Sequence, residues 1–342
     1  MSDYKCAIIG VGQNRARGLA AAYTHISRGK LVAVSARTDE AREAFAAEYS
    51  VPSHFSDYQE MFEKARPDVV HVNTPPDVRL EIMVAAQEAG IPALIVEKPL
   101  AIQGEDYREI QQFAADTSLK VCINHQLHFH PRRVELQDHV ANGEIGEICF
   151  IDASCGMNLA YQGTHTLQAI GAFHPDPPTS VLGQVSGSVG LSDSRGKKHL
   201  APDSTLAILN FADGVQATLQ SGETAPKVGR ETINTHKRIA VHGTRGYVHW
   251  TMWGWEIGID GKTTSGSHEY PDEDILGQAG MTEAMFAWLE DDTQTHPLNL
   301  DSALTDFNTV LGIYTSALEH RVVDLPVTPS DGLVEALRRR LG

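Results

Sequence analysis

Cationic residues are in short supply: 28 Lys and Arg stand against 44 Asp and Glu in 342 residues, a formal charge of −16. So acidic a chain is repelled by phosphate backbones and anionic membrane surfaces unless it carries a segregated basic face, and its longest basic run is Arg338 to Arg340. Nucleic acid and membrane are not expected partners. Long apolar runs are missing as well. None approaches the roughly 18 residues of a membrane span, and the first, Cys6 to Val11, soon gives way to Gln13, Asn14 and Arg15, so no leader or anchor is expected. Cysteine is scarce. The four (Cys6, Cys122, Cys149, Cys155) form no CxxC pair, and three sit in apolar, strand-like runs, which predicts buried free thiols and a cytoplasmic location. Repeats and low-complexity segments are absent too. What remains, 42% apolar and 21% charged residues, describes a globular protein, and the length suggests roughly two domains.

Short β-branched runs alternate with helical periods in the first part of the chain. Lys5 to Gly10, Leu31 to Ser35, Asp68 to Asn73, Ala93 to Glu97 and Lys120 to Asn124 read as strands. Helical patterns lie between them at Arg15 to His25, Glu40 to Tyr49 and Leu80 to Ala89. The strands are apolar on both faces, as a parallel sheet covered by helices on each side requires. Residues 1–124 therefore predict a doubly wound α/β domain of the Rossmann kind. After Pro131 a helix (Arg132 to Asn142), a strand (Ile148 to Ser154), a second helix and several alternating strands follow, with hairpin signals at Asp213-Gly214 and Asp260-Gly261. Residues 125–342 predict an α+β domain with an open, largely antiparallel sheet, on which the last strong helix pattern, Leu304 to Leu318, should pack.

The first strand runs into Gly10-Val11-Gly12-Gln13-Asn14-Arg15 and then a helix, the setting a dinucleotide fingerprint requires. Glycines allow the sharp turn and let backbone N–H groups approach a pyrophosphate at the positive end of the helix. The third glycine position holds Arg15, or Ala16 with one residue inserted. Where an NAD-binding protein places an acid for the adenosine ribose, the second strand ends Ser35-Ala36-Arg37-Thr38. Ala36 leaves room, Arg37 offers a guanidinium fork, and Ser35 and Thr38 offer hydroxyls. That set suits the extra 2′-phosphate of NADP, with NAD as the alternative.

The fifth strand continues into Glu97-Lys98-Pro99, and Asn73-Thr74-Pro75-Pro76 closes the strand before it; Asn142-Gly143-Glu144-Ile145-Gly146 and Gln162-Gly163-Thr164-His165 follow in order. With the glycine turn in front, the chain resembles the glucose-fructose oxidoreductase / inositol dehydrogenase / MocA family of nicotinamide-dependent oxidoreductases. Lys98 follows a buried strand at its carboxyl end, where ligands of open α/β sheets sit. An ammonium desolvated beside a cationic ring gives up its proton more readily, which fits it to move one near neutrality. Adjacent side chains of a strand point to opposite faces, so Glu97 is expected at the cofactor ribose, as the resemblance implies, and Lys98 at the substrate. Asn73, Thr74 and Pro75 join the expected cofactor contacts, with Gly10, Gly12, Gln13, Asn14, Arg15, Ser35, Ala36, Arg37 and Thr38.

Tyr161 stands four residues before His165, which on an α-helix gives both one face. In relatives an acid commonly holds the place of Tyr161 and forms a proton-handling trio with the histidine and the lysine. A phenol donates or accepts a hydrogen bond but does not replace a carboxylate that charges the histidine. Lys98, His165 and Tyr161 are the expected catalytic groups, His165 bonded to the reacting oxygen; Asn124 and Gln162 join them at the substrate, and Gly163 is expected to let backbone approach the nicotinamide. His125, His128 and His130 invite a metal reading. Their alternation along an extended segment, with no Cys or carboxylate among them, speaks against one, and no metal is expected. Trp250, Trp253 and Trp255 are assigned to packing or subunit contact before sugar stacking.

The function expected is hydride transfer between NADP and a secondary alcohol or ketone of a sugar or cyclitol. Two other readings stay open: a redox-assisted glycosidase or eliminase that recycles its NAD, and a dinucleotide-sensing regulator without catalysis. Helices on one side only of the second sheet leave an apolar face needing cover, so a homodimer or homotetramer is expected.

Overall fold

The computed structural model describes residues 3–12, 14–192 and 199–342, without the side chains of Asn14 and Asp272. Gln13, expected at the cofactor, lies outside the described residues, as does the side chain of Asn14. The chain divides into two compact units: Met1–Leu100, Ile110–His130 and Asp274–Ala303 make the first, and Ala101–Glu109, Pro131–Glu273 and Leu304–Gly342 the second. The single cut expected at residue 124 is therefore replaced by an interleaved division.

The first unit contains strands β1 (Tyr4–Ile9), β2 (Gly29–Ser35), β3 (Ser53–Phe55), β4 (Val69–Val72), β5 (Ala93–Glu97) and β6 (Lys120–Asn124), in the order β3-β2-β1-β4-β5-β6. All pairings are parallel. This is the doubly wound arrangement predicted, and the order reverses between β1 and β4, the point beside which such sheets bind ligands. Helices α1 (Asn14–Ala22), α2 (Asp39–Glu48), α3 (Tyr58–Ala65) and α4 (Arg79–Glu88) connect these strands. Helix α5 (Gly104–Asp116), between β5 and β6, is divided between the units. One apolar cluster joins Ile8 and Val34 to Leu19 and Phe45. A second joins Val69, Ala93, Ile95 and Cys122 to Met281, Met285 and Phe286 of α8 (Tyr270–Glu290). That burial brings a segment far along the chain back to the first sheet. Polar ties reinforce it: Arg28 pairs with Glu283 at 2.6 Å, and the Ile123 amide donates to the Leu298 carbonyl at 2.9 Å.

In the second unit lie α6 (Pro131–Ala141), β7 (Ile148–Cys155), a π turn (Leu159–Gly163), α7 (Thr164–Phe173), β8 (Ser180–Ser186), β9 (Ser204–Asn210), β10 (Gln216–Gly222), β11 (Lys237–Gly243), β12 (Gly246–Thr251), β13 (Gly254–Ile259), β14 (Lys262–Ser267), most of α9 (Leu300–Glu319), β15 (Val323–Asp324) and α10 (Leu333–Leu341). Their nine strands are ordered β14-β13-β12-β11-β7-β10-β9-β8-β15, antiparallel except between β7 and β10. Both hairpin signals are realised: Gly214 (φ 91°) turns β9 into β10, and Asp260-Gly261 (φ 49° and 77°) turns β13 into β14. Helix α9 lies directly on β8, because Gly183 has no side chain and a Cβ there would come within 2.6 Å of the Ile313 carbonyl. Ile151, Ala153, Leu219 and Val241 are buried, whereas Phe150, Leu206 and Ile208 remain exposed apolar residues of β7 and β9.

Three cysteines are buried, and burial pushes the Cys6 thiol up to about 12 and Cys155 to about 11, so neither ionises near neutrality. Cys149 is exposed, against the expectation of a buried thiol. Trp250 is buried with the Arg133 guanidinium 5.3 Å from its ring, and Arg132 and Arg230 lie over Trp255 and Trp253 at 4.1 and 3.9 Å. All three indoles are thus engaged by arginines of their own unit.

Candidate functional site

At the switch point of the first sheet the glycine turn is held by its neighbours. Gly10 has φ 88°, and a Cβ on it would come within 2.4 Å of the Asn73 carbonyl, so the turn after β1 and the end of β4 touch only because this residue is glycine. Asn73 fastens the contact by donating from Nδ2 to the Gly10 carbonyl at 2.7 Å. Its side chain shapes the turn from within. At Gly12 an added Cβ would meet nothing within 4 Å among the described residues, which leaves space over the start of α1. The Thr74 hydroxyl oxygen is buried and has no hydrogen-bond partner among the described residues. An open cradle at a helix N-terminus and an orphaned hydroxyl at the neighbouring strand end fit a dinucleotide.

The second strand delivers Ser35 buried, Ala36 half-buried, and Arg37 and Thr38 exposed. Ser35 is thus set inside the strand, while Arg37 and Thr38 are accessible to a ligand. Arg42 of α2 was not foreseen. Buried at 8% exposure, it donates to the Ala36 carbonyl at 2.9 Å and pairs with Asp39 at 2.8 Å, fixing the loop that carries Arg37.

At the end of β5, Glu97 and Lys98 are both buried at 8% exposure, and the Lys98–Pro99 peptide is cis. Glu97 accepts from Asn124 Nδ2 at 2.9 Å and pairs with Arg15 at 3.4 Å, and Arg15 reaches Asp274 at the same distance. Asn124 also donates to Gln278 at 3.3 Å and receives the Gln126 amide at 3.3 Å. The amide of Asn124, expected at the substrate, is therefore engaged in holding Glu97. Arg79 is the other residue that sequence reasoning missed. Fully buried, its guanidinium donates to the Thr74 carbonyl at 3.0 and 2.7 Å, to Lys98 at 3.3 Å and to Pro99. One side chain thereby ties the loop after β4 to the loop after β5. Burial lowers its pKa to about 10, with Glu97 and Asp77 opposing the shift, so it remains cationic at neutral pH.

In the second unit the segment ahead of α7 is a π turn, not the α-helical turn expected. The Asn158 carbonyl accepts from Tyr161, Gln162 and Gly163 at 3.1, 3.0 and 3.3 Å, and its side chain accepts from the Tyr161 amide at 2.9 Å. Such wide turns recur at functional sites. Tyr161 is half-buried and meets His199 edge to face, ring centroids 4.5 Å apart; His165 is buried in the first turn of α7. Gln162 uses its amide on the chain itself, accepting from Met157 N at 3.2 Å and donating to Asn234 O at 3.1 Å. It anchors the turn instead of pointing at a ligand. Gly163 is required by Leu159, whose Cδ1 would lie 2.5 Å from an added Cβ, so local packing rather than approach of a nicotinamide accounts for it.

Residues 4–125 match the model of an oxidoreductase family with an NAD-binding Rossmann fold. That family is the Gfo/Idh/MocA oxidoreductases. The chain is 32% identical over 197 residues to D-glucoside 3-dehydrogenase of Escherichia coli K12, covering 53% of this chain and 55% of the relative. It thus spans about half the length of that curated relative. Among solved structures, a putative myo-inositol dehydrogenase from Sinorhizobium meliloti superposes with TM-score 0.77 at 20% identity, covering 94% of this chain and 99% of the other. Levoglucosan dehydrogenase in complex with NADH superposes at 0.78 with 17% identity, covering 95% and 100%. At these identities the two structures establish the fold: a six-stranded parallel sheet with a second, mostly antiparallel one.

Proposed function

We propose that the protein is an NADP-preferring oxidoreductase that transfers a hydride between the nicotinamide and a secondary alcohol or ketone of a sugar or cyclitol. The observation that carries this reading is Lys98, buried at the carboxyl end of a parallel strand and locked through its own carbonyl by Arg79, in a unit whose glycine turn is open at the switch point. The D-glucoside 3-dehydrogenase likeness supports a carbohydrate substrate.

The nicotinamide, when bound, supplies or takes up the hydride. Gly10, Gly12 and the start of α1 would hold the pyrophosphate, with Thr74 and Pro75 alongside, and Arg37 and Thr38 the 2′-phosphate. Glu97, kept in place by Asn124 and Arg15, would accept from ribose hydroxyls. We assign to Lys98 and His165 the hydrogen bonds that hold the reacting oxygen and exchange its proton, with Tyr161 passing that proton to or from water. Because Tyr161 stands where an acid is common in relatives, the role assigned to His165 is that of hydrogen-bonding partner to the reacting oxygen.

The test is absorbance of reduced nicotinamide while glucosides, cyclitols and keto sugars are offered with each coenzyme. Net reduction of NADP with at least one of them, and about a tenfold loss of the NADP-over-NAD preference on Arg37→Ala, are expected, the scale of a charge-assisted contact to phosphate. Turnover with no net coenzyme change would instead indicate recycled redox chemistry, and equal use of both coenzymes would overturn the NADP assignment.

Phe150, Leu206 and Ile208 carry the same reading to assembly. We assign a second copy of the chain to this exposed face, giving a dimer or tetramer. Light scattering is expected to return at least twice the 37.3 kDa chain mass; a monomer contradicts it.

A further inference from the structure

We propose that the second unit binds a small planar oxyanion of the formate or bicarbonate kind on the guanidinium of Arg133, a site independent of the redox chemistry assigned above. Helix α6 buries Arg133, Leu136 and Val140, the i, i+3, i+7 spacing of a face that packs on other elements. Strand β12 meets that face. Its Trp250 and Val248 stand beside Ile239 and Val241 of β11 in the ladder, and all four are buried. Arg133 is the charged member of the α6 face, 1% exposed, with its guanidinium carbon 5.3 Å from the centre of the Trp250 ring. An aromatic face attracts a cation but offers no acceptor to the N–H groups along the cation's edge.

Nε and Nη2 of Arg133 are buried and have no hydrogen-bond partner among the described residues. The pair is informative. These two nitrogens carry the parallel N–H bonds along one edge of a guanidinium, the edge that takes both oxygens of a carboxylate at once. Charge tells the same story. Burial is what moves the Arg133 pKa, down to about 9, with no carboxylate opposing the shift, so the group stays cationic near neutrality. Arg79 is the contrast: Glu97 and Asp77 oppose its shift, and the carbonyls of Thr74, Lys98 and Pro99 accept from it. In a chain of formal charge −16, Arg133 is a buried cation without the acid that such a group requires. Shape and access narrow the ligand. A halide meets both N–H groups off their axes, whereas the two oxygens of a carboxylate meet each along its own. With so little of Arg133 exposed, a phosphate ester or a sugar acid would have to break the contact of α6 with β12, and size selects a one-carbon acid.

Melting of the full chain near neutral pH, with sodium formate exchanged for sodium chloride at constant ionic strength, tests the site in the wild-type protein, Arg133→Met and Arg133→Lys. The wild-type protein is expected to gain about 4 °C, saturably, at about a hundredfold excess of formate over its Kd. Arg133→Met, which keeps the buried stem and removes the charge, should show no gain and should match or exceed the wild-type melting temperature in chloride alone. Arg133→Lys keeps the charge without the fork, so formate should do no better than chloride. Wild-type melting that follows ionic strength alone, as a water-filled site would give, overturns the proposal. So does an equal gain in Arg133→Met, or a formate advantage that survives in Arg133→Lys. Should neither variant fold, transfer of magnetic saturation from the indole protons of Trp250 to the formate proton in the wild-type protein sustains the site, and no transfer overturns it.

Discussion

Replacing Lys98 by methionine is expected to lower kcat/KM for the best sugar by about 10²- to 10⁴-fold, the usual contribution of a positioned proton-transfer group, while coenzyme affinity changes little. Methionine keeps the length of the buried stem and removes only the ammonium, so packing at the end of β5 is preserved. Lys98→Arg separates charge from proton exchange. A guanidinium stays protonated across the accessible pH range, so this variant is expected to remain slow and to lose the limb of the pH–rate profile that reports Lys98. Steady-state rates with coenzyme titration on both variants check this. A wild-type rate in Lys98→Met would remove the residue from the chemistry.

The second large effect is expected at Arg79, which touches no proposed ligand. Arg79→Leu leaves the carbonyls of Thr74, Lys98 and Pro99 without their donor in a buried site, each worth roughly 1–3 kcal/mol, against which relief from burying a cation is a partial offset. A loss of several kcal/mol is expected, read as a fall in melting temperature. Because both loops of the coenzyme site hang on this one side chain, coenzyme affinity should fall with it, even at temperatures where the variant remains folded. Arg79→Lys should rescue little, because a compact ammonium cannot span carbonyls on two loops as a planar fork does. Unchanged stability together with unchanged affinity would show the clamp to be dispensable.

Much of the first unit was legible because its signals are local. Buried parallel strands such as Ala93 to Glu97 are unbroken apolar runs, and a glycine whose Cβ would strike a neighbouring carbonyl announces a turn. Strand β3, three residues long with an exposed His54 at its centre, carries no such run. The roles of Arg79, Arg42 and Gln162 were hidden for a different reason: each acts on backbone carbonyls or amides of neighbouring loops, and a sequence does not record where a long polar side chain ends. Tyr161 and His165 were singled out on an α-helical spacing that is not realised, since convergence of three amides on the Asn158 carbonyl widens the turn between them. Helix α8 was missed because it has no single apolar stripe. Residues on both sides of the division at Asp274 belong to it, and they serve different units.

That return of α8 to the first sheet bears on how the polypeptide matures. While it is being synthesised, the nucleotide-binding sheet can pair its six strands once residue 124 has emerged, but the face covered by Met281, Met285 and Phe286 stays bare until a further stretch of more than a hundred residues has been made. The nascent chain thus carries an oily, half-finished layer while the intervening residues are made, and completion of the first unit waits on the arrival of α8.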